Sequence, residues 1–206
     1  MDSEKLALEF ELEALAELGL TFDRHDYLLR FMGLSTEDYL AALDEEAHKR
    51  LGHSISADVR GSQRLRQVMT THLTEVPGAQ EAVLALRLPK AIASSGSRGG
   101  LERKLKRTGL WQHFEPHVYS ADHVENAKPA PDLFLYAAKA LEVDPCDCLV
   151  LEDSVNGVLA AKTAGMTVWG FLGGGHADDA LGQRLLEAGA ERLVRDWPEV
   201  ACMFTD

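Results

Sequence analysis

The first candidate site is a run of small polar residues that follows a short apolar stretch. Lys90-Ala91-Ile92 is followed by Ala93-Ser94-Ser95-Gly96-Ser97. Where a hydroxyl ends a strand and a helix begins just after it, the hydroxyl and the next backbone N–H groups can bind phosphate oxygens. Ser94 and Ser95 are therefore candidate phosphate-binding residues. The competing interpretation is that residues 95–97 only cap the following helix, and these residues alone favour it.

A second candidate is a lysine enclosed by prolines in the segment Asn126-Ala127-Lys128-Pro129-Ala130-Pro131-Asp132. Because prolines restrict the backbone, the ammonium of Lys128 can be held against a phosphate and an attacking carboxylate. At 4 Å and an effective dielectric constant near 20, one such charge pair is worth about 4 kcal/mol. The segment fits a solvated lysine on a turn equally well, with Asp132 beginning a helix, so both interpretations stay open.

Two adjacent carboxylates form the third candidate. Glu152 and Asp153 follow the apolar run Cys148-Leu149-Val150-Leu151. Side by side at the end of a buried strand, the two negative charges repel each other and call for a cation. Oxygen ligands near a phosphate suit Mg²⁺, which takes one or two carboxylates and keeps several waters. The alternative is that Asp153 or Ser154 only caps the next helix, and the strand-end position favours the metal.

The elements that must position these residues change in character near residue 76. Before that point the sequence predicts only helices, at about residues 4–18, 23–31, 35–51 and 56–73. After it, strand-length apolar runs at 90–94, 117–120, 148–151, 167–171 and 190–194 alternate with helical patterns. Such alternation predicts a parallel sheet with helices on both faces. Because ligands bind at the carboxyl ends of the strands in such sheets, the three candidates belong at one edge.

Composition excludes several classes of partner. Hydrophobic residues make up 46% of the 206 residues and charged residues 26%, which is typical of a globular protein with a core. The net charge of −12 disfavours nucleic acid and acidic membranes but does not repel a divalent cation. Residues 1–20 are rich in Glu and have no basic segment followed by an apolar run, so we expect no signal peptide. We expect no transmembrane helix, since no window approaches about 18 uninterrupted apolar residues. Three cysteines without C-x-x-C spacing fit a reducing, cytoplasmic compartment.

In chain order these motifs resemble the haloacid dehalogenase-like hydrolase superfamily. A serine after a strand, Lys-Pro-x-Pro-Asp, and Glu-Asp-Ser-x-x-Gly after another strand are most similar to its sugar-phosphate phosphatase and phosphomutase branch. The resemblance implies an α/β fold with a Rossmann-like parallel-sheet core at residues 76–206. Residues 4–75 resemble the small inserted helical cap of that branch, and Arg30-Phe31-Met32-Gly33-Leu34-Ser35 resembles the cap linker. Residues 1–3 resemble the remnant of the first core motif.

The resemblance also implies a mechanism. An aspartate attacks phosphorus, an aspartyl-phosphate forms, and water hydrolyses it. By resemblance Ser94 donates a hydrogen bond to the phosphoryl group, with Ser95 beside it, and Lys128 orients the nucleophile and neutralises charge. The implied substrate is a small phosphorylated metabolite such as a sugar phosphate, and we expect a monomer.

The resemblance assigns Mg²⁺ as the cofactor. Glu152 and Asp153 would hold it directly or through water, and Asn156 is a candidate neighbour of these ligands. In such sites the cation spreads the charge that develops on the phosphoryl oxygens.

The sequence departs from the family pattern at the nucleophile. The family's Asp-x-Asp-Gly-Thr motif usually ends in Asp-Ser-Glu, and only Met1-Asp2-Ser3-Glu4 matches that end. We expect a central strand of about five or six residues, with its loop, to be missing. The strands at 90–94 and 148–151 should then not pair with each other, and phosphatase activity of these residues should be low. The alternative is that Asp2-Ser3-Glu4 is a chance helix cap.

Other activities are weighed against a phosphatase. The related sugar phosphomutases carry a histidine where Ala7 stands and an arginine where Thr36 stands, and both departures favour a phosphatase. Dehalogenases of the superfamily need no Mg²⁺, so Glu152-Asp153 disfavours that activity. A non-catalytic remnant that binds phosphate or a partner stays open. An in-frame Asp-x-Asp-Gly upstream would favour the enzyme, and a stop codon would favour the remnant.

Overall fold

The computed structural model describes residues 3–31, 36–55, 73–175 and 177–204. The chain divides into two compact units, one of residues 5–72 and one of residues 1–4 with 73–206. None of the helices in the described ranges is both long enough and apolar enough to span a membrane. The helix predicted at 56–73 and most of the predicted linker at 30–35 lie outside the described residues.

The smaller unit is helical in its described part. Its helices are α1 (Ser3–Glu17), α2 (Arg24–Phe31) and α3 (Thr36–Leu51). Gly19 has φ of 90°, and the Leu20 N–H donates to the Leu15 carbonyl at 2.8 Å, which is the left-handed C-terminal turn that glycine favours. The helices share one buried apolar cluster, made of Leu8, Leu15, Leu20, Tyr27, Phe31, Leu43, Ala47 and Ile55.

Two tyrosines and a glutamate form a polar contact beside this cluster. The Tyr27 and Tyr39 hydroxyls lie 2.9 Å apart, and they donate to the two carboxylate oxygens of Glu11 at 3.1 and 3.2 Å. Burial raises the pKa of both phenols, and the negative charge of Glu11 raises them further. The cluster therefore holds both phenols in the neutral form.

The larger unit alternates helices and strands, as predicted. Its helices are α4 (Ala79–Ala85), α5 (Arg98–Arg107), α6 (Trp111–Phe114), α7 (Asp132–Leu141), α8 (Val155–Thr163), α9 (Asp179–Glu187) and α10 (Trp197–Cys202). Its strands are β1 (Ile92–Ser94), β2 (Val118–Ser120), β3 (Leu149–Glu152), β4 (Thr167–Phe171) and β5 (Arg192–Val194). Two short 3₁₀ helices, Ala121–His123 and Pro145–Asp147, follow β2 and precede β3. Each strand falls within one residue or two of its predicted position.

The five strands form two parallel sheets rather than one. β1 pairs with β2, and β4 pairs with both β3 and β5. Within the part of the chain that the structure describes, no ladder joins β1 to β3. The expectation that these two strands do not pair with each other is confirmed. That a further strand belongs between them stays a prediction.

Helices cover both faces of the three-stranded sheet. Val168 of β4 packs in a cluster with residues of α7, α8 and α9, whereas Phe171 packs on the other face with Val200 of α10. Val168 is fully buried, but Leu149, Val150 and Leu151 of β3 are only half-buried. A strand as apolar as β3 is normally buried between two neighbours. β3 is partly exposed because it pairs only with β4, and its other edge has no neighbouring strand among the described residues.

Candidate active site

A buried lysine connects the carboxyl ends of β1 and β3. The Lys128 ammonium donates to the Ala93 carbonyl of β1 at 3.2 Å and to the Glu152 carboxylate at the end of β3. The exposed fractions of the two charged side chains are 5% and 8%, so this ion pair is almost completely removed from solvent. Ser94 is the last residue of β1, directly after the carbonyl that the ammonium contacts. Residues of the three predicted clusters are therefore brought to one place.

The loop that carries Lys128 is closed by its own polar contacts. The Asn126 side-chain amide donates to the Asp132 carboxylate at 3.0 Å, and the Ala130 N–H donates to the Ala127 carbonyl at 3.0 Å. Helix α7 begins at Asp132, immediately after Pro131. The solvated-lysine interpretation is wrong, because Lys128 points into the protein. The interpretation that Asp132 begins a helix is correct.

The Glu152 carboxylate is bonded through both of its oxygens. One accepts from Lys128, and the other accepts from the Ser154 hydroxyl at 2.9 Å. The Ser154 oxygen in turn accepts the Gly157 N–H at 3.1 Å and so caps α8. A Cβ on Gly157 would overlap the carboxyl carbon of Glu152. Gly157 therefore has no Cβ at the position that the Glu152 carboxylate occupies.

The serine-rich loop after β1 is exposed and forms mostly local contacts. The Ser97 hydroxyl accepts the Gly100 N–H at 3.4 Å, so the predicted helix cap is present at the start of α5. The Arg98 N–H is bonded to Asp122 at 2.7 Å. The Ser94 oxygen accepts the Gly96 N–H at 3.2 Å, which leaves its own proton to be donated to a ligand. The phosphate-binding roles of Ser94 and Ser95 stay predictions.

The acidic pair partly fits a Mg²⁺ ion. Asp153 is exposed next to the buried Glu152, and Asn156 is exposed in the first turn of α8. No group of three or more Asp, Glu, His or Cys side chains suited to a metal occurs among the described residues. Mg²⁺ needs only one or two carboxylates when waters and phosphate oxygens complete its shell. Both Glu152 oxygens already accept hydrogen bonds, so Glu152 is less available as a direct metal ligand.

Two contacts at this site carry no signal in the sequence. Phe134 lies with its ring 4.4 Å from the Lys128 ammonium, and it reads in the sequence only as an apolar residue of α7. The Ala93 carbonyl is a backbone group, so no residue type reveals that it accepts from a lysine 35 positions away. The Ser-x-x-Gly spacing is the sequence signal for the hydrogen bond between the Ser154 hydroxyl and the Gly157 N–H.

Comparison with known proteins identifies relatives over most of the chain. Residues 1–171 match the family described as haloacid dehalogenase-like hydrolase. The "Phosphorylated carbohydrates phosphatase" of Thermotoga maritima is 32% identical over 199 residues, which are 95% of this chain and 89% of that protein.

Two other relatives are more similar over shorter stretches. The "Bifunctional riboflavin kinase/FMN phosphatase" of Arabidopsis thaliana is 42% identical over 47% of this chain, and a "Putative phosphatase" of Bacillus subtilis is 40% identical over 60% of it. The chain spans 26% and 56% of the lengths of these two proteins.

Solved structures share the fold along nearly the whole chain. A haloacid dehalogenase-like protein of unknown function from Agrobacterium tumefaciens is 32% identical, with a TM-score of 0.87 over 98% of this chain and 91% of that one. A HAD family hydrolase from Deinococcus radiodurans, solved with bound phosphate and sodium, is 32% identical, with a TM-score of 0.83 over 99% of this chain and 92% of that one.

Proposed function

This chain belongs to the haloacid dehalogenase-like hydrolases, and from that premise we propose that it is a Mg²⁺-dependent phosphoric monoester hydrolase of small phosphorylated metabolites. The observation that carries the proposal is the buried Lys128 ammonium, which contacts Ala93 at the end of β1 and Glu152 at the end of β3. A sugar phosphate is the substrate class that the name of the Thermotoga relative favours. The phosphate bound to the Deinococcus structure supports the same class of ligand.

In this proposal Lys128 and Ser94 bind the phosphoryl group of the substrate through charge and hydrogen bonding. The ammonium is fixed from two sides, so its charge is already in place when the substrate binds and no reorganisation is needed during the reaction. The Ser94 hydroxyl donates to a phosphoryl oxygen, and the neighbouring N–H of Ser95 assists it. Exclusion of water around the buried Lys128–Glu152 pair strengthens these interactions.

Asp153 and Glu152 would hold the proposed Mg²⁺ directly or through water, with Asn156 as a neighbour of these ligands. When bound, the cation supplies positive charge next to the phosphoryl oxygens on which negative charge develops. Glu152 then has two tasks, because its carboxylate also holds the Lys128 ammonium. The three residues share one short stretch at the end of β3 and the start of α8.

The nucleophile of the proposed reaction is an aspartate that forms an aspartyl-phosphate. The 206 residues contain no Asp-x-Asp-Gly, so we propose that this stretch alone has little phosphatase activity. Uncatalysed hydrolysis of phosphate monoesters is among the slowest reactions that enzymes accelerate. Binding of phosphate does not depend on the nucleophile and is retained.

The test compares the 206-residue protein with one that has an Asp-x-Asp-Gly strand fused ahead of Met1. Phosphate release from a panel of sugar phosphates is measured with and without Mg²⁺. We expect Mg²⁺-dependent turnover only in the fusion, lowered about a hundredfold or more by Asp153→Ala, since a metal site supplies several kcal/mol. Asp147→Ala, at an exposed acid of a 3₁₀ helix, is the matched control. A folded fusion without turnover contradicts the hydrolase, and Mg²⁺-dependent turnover by the 206 residues alone contradicts the proposed inactivity.

A second candidate function is a phosphate-binding protein without catalysis. The buried Lys128 ammonium serves phosphate binding with or without catalysis, and this candidate predicts phosphate binding without turnover in either protein. A sugar phosphomutase is a lesser candidate, which would move phosphate between sugar positions instead of releasing it. Ala7 and Thr36 stand where the mutases carry histidine and arginine, so we expect inorganic phosphate to be released.

We also propose the organisation and the setting of the protein. Residues 4–75 form the cap domain, and the separate compact unit of residues 5–72 supports this assignment. The protein is a cytoplasmic monomer. All three cysteines, Cys146, Cys148 and Cys202, are unpaired, which supports a reducing compartment.

A further inference from the structure

The Lys128 ammonium has an aromatic neighbour as well as its two oxygen partners. The ring centroid of Phe134 lies 4.4 Å from Nζ, and the exposed fractions of the two side chains are both 5%. The face of a benzene ring is negative, so a cation within about 6 Å of the centroid is attracted to it. The attraction is strongest where water is excluded, as it is here.

We infer that Phe134 is a positioning residue that holds the Lys128 ammonium in place for the phosphoryl group. The inference rests on the proposed function, because the value of a fixed ammonium depends on what it binds. Three groups of different chemistry enclose the cation: the Ala93 carbonyl, the Glu152 carboxylate and the Phe134 ring. Of the three, only the ring attracts the cation without accepting a conventional N–H···O hydrogen bond from it.

Helix α7 explains how Phe134 reaches this position. Pro131 precedes the helix, and the Phe134 N–H bonds to the Pro131 carbonyl at 3.0 Å, so the lysine loop and the first turn of α7 form one continuous structure. Phe134 also belongs to the buried apolar cluster that contains Val158 and Ala161 of α8. Phe134 is therefore held by the core and in turn holds Lys128.

The wild-type protein provides the first test, by NMR of its lysine side chains. Protons over a ring face are shielded, so we expect the Cε protons of Lys128 to resonate upfield of those of Lys139. Lys139 lies on α7, the helix of Phe134, and its side chain is exposed, so it serves as the solvent-exposed reference. Phe134→Tyr retains the ring and the upfield shift. Absence of the shift in folded wild-type protein overturns the inference.

The second test measures how fast an amine-reactive reagent labels Lys128 in the whole chain, read by mass spectrometry. Phe134→Leu removes the ring but leaves an apolar side chain, and we expect labelling of Lys128 to accelerate about two- to thirtyfold. The control is Phe114→Leu, the same change at a residue that is 8% exposed in a different cluster. If the two variants accelerate labelling equally, Phe134 serves only as a core residue and the inference is wrong. Neither test uses a substrate, so its outcome is separate from that of the phosphatase assay.

Discussion

At the scale of single residues, the role of a residue at this site depends on its neighbours and cannot be inferred from its type alone. Gly157 is the clearest example, because the Glu152 carboxylate lies where its Cβ would be. Gly100 occupies the equivalent third position of α5, and a serine caps both helices through the glycine N–H. A Cβ on Gly100 would meet only the Ser97 hydroxyl, at 3.1 Å. The two glycines therefore share a local structure and differ in what lies beside them.

The matched substitutions Gly157→Ala and Gly100→Ala should have different effects on the free energy of unfolding. In Gly157→Ala the Glu152 carboxylate must leave its place, and breaking a buried ion pair costs about 3–5 kcal/mol. Gly100→Ala should change stability by no more than about 1 kcal/mol, since alanine favours a helix over glycine by about that amount. Urea unfolding of both variants measures the difference.

The Glu152→Ala background isolates the cause. There the carboxylate is gone, so adding Gly157→Ala should cost nothing further. If Gly157→Ala costs the same with and without Glu152, then the loss comes from the helix backbone and the carboxylate has no part in it.

At the scale of elements, the strands of the larger unit could be predicted and their contacts could not. Short apolar runs bounded by polar residues predicted β3 and β4, because a strand buried between helices needs apolar side chains on both faces. The Ser97 cap was also predictable, since its partner lies three residues away. Lys128 and Glu152 are 24 positions apart, and they meet only because the fold places the loop before α7 beside the end of β3.

The same limit explains the outcome for the two sheets. A strand pattern predicts that a segment is extended but does not state which segment lies beside it. The sequence therefore indicated parallel strands correctly, and resemblance to a family was needed to expect that β1 and β3 would not pair.

The polar cluster of the helical unit predicts how that unit responds to alkaline pH. Burial first, and then the charge of Glu11, raises the pKa of Tyr27 above its ordinary 10. A group whose pKa is raised in the folded state stabilises fully below its unfolded pKa and loses that effect as pH rises. We expect the helical unit to lose stability above pH about 10, measured by far-ultraviolet circular dichroism.

Selective readouts make this expectation specific to one unit. All three tryptophans, Trp111, Trp169 and Trp197, belong to the larger unit, so their fluorescence follows that unit alone. Tyr39→Phe should reduce the loss of helix signal per pH unit and leave the pH dependence of the tryptophan fluorescence unchanged. Equal alkaline sensitivity in Tyr39→Phe and wild type would contradict the role given to the cluster.

At the scale of the whole molecule, the separation of β1 from β3 is the unusual feature. In parallel pairing, successive residues of a strand direct their backbone groups to opposite sides. The Cys148 carbonyl accepts from Thr167 of β4, so the backbone groups of Leu149 and Leu151 face the open edge. The Ala93 carbonyl, bonded to Lys128, faces away from β2 in the same way. Because Leu149 and Leu151 are only half-buried, water can bond their open-edge backbone groups, which lowers the cost of lacking a strand partner.

Amide hydrogen exchange tests whether this open edge is the place of a further strand. In the 206-residue protein we expect the amides of Ala93, Leu149 and Leu151 to exchange rapidly. The Gly170 amide, in the ladder between β4 and β5, should exchange on the order of a thousandfold or more slowly, because exchange there requires global unfolding. In the fusion with an Asp-x-Asp-Gly strand ahead of Met1, all three open-edge amides should become protected together. A strand between β1 and β3 would bond both edges at once and bring its aspartates to the carboxyl edge, beside Lys128 and Asp153. Rapid exchange that persists in a folded fusion would mean that the added segment lies elsewhere. In that case Lys128, which contacts both Ala93 and Glu152, would be the only link between β1 and β3 at this edge among the described residues.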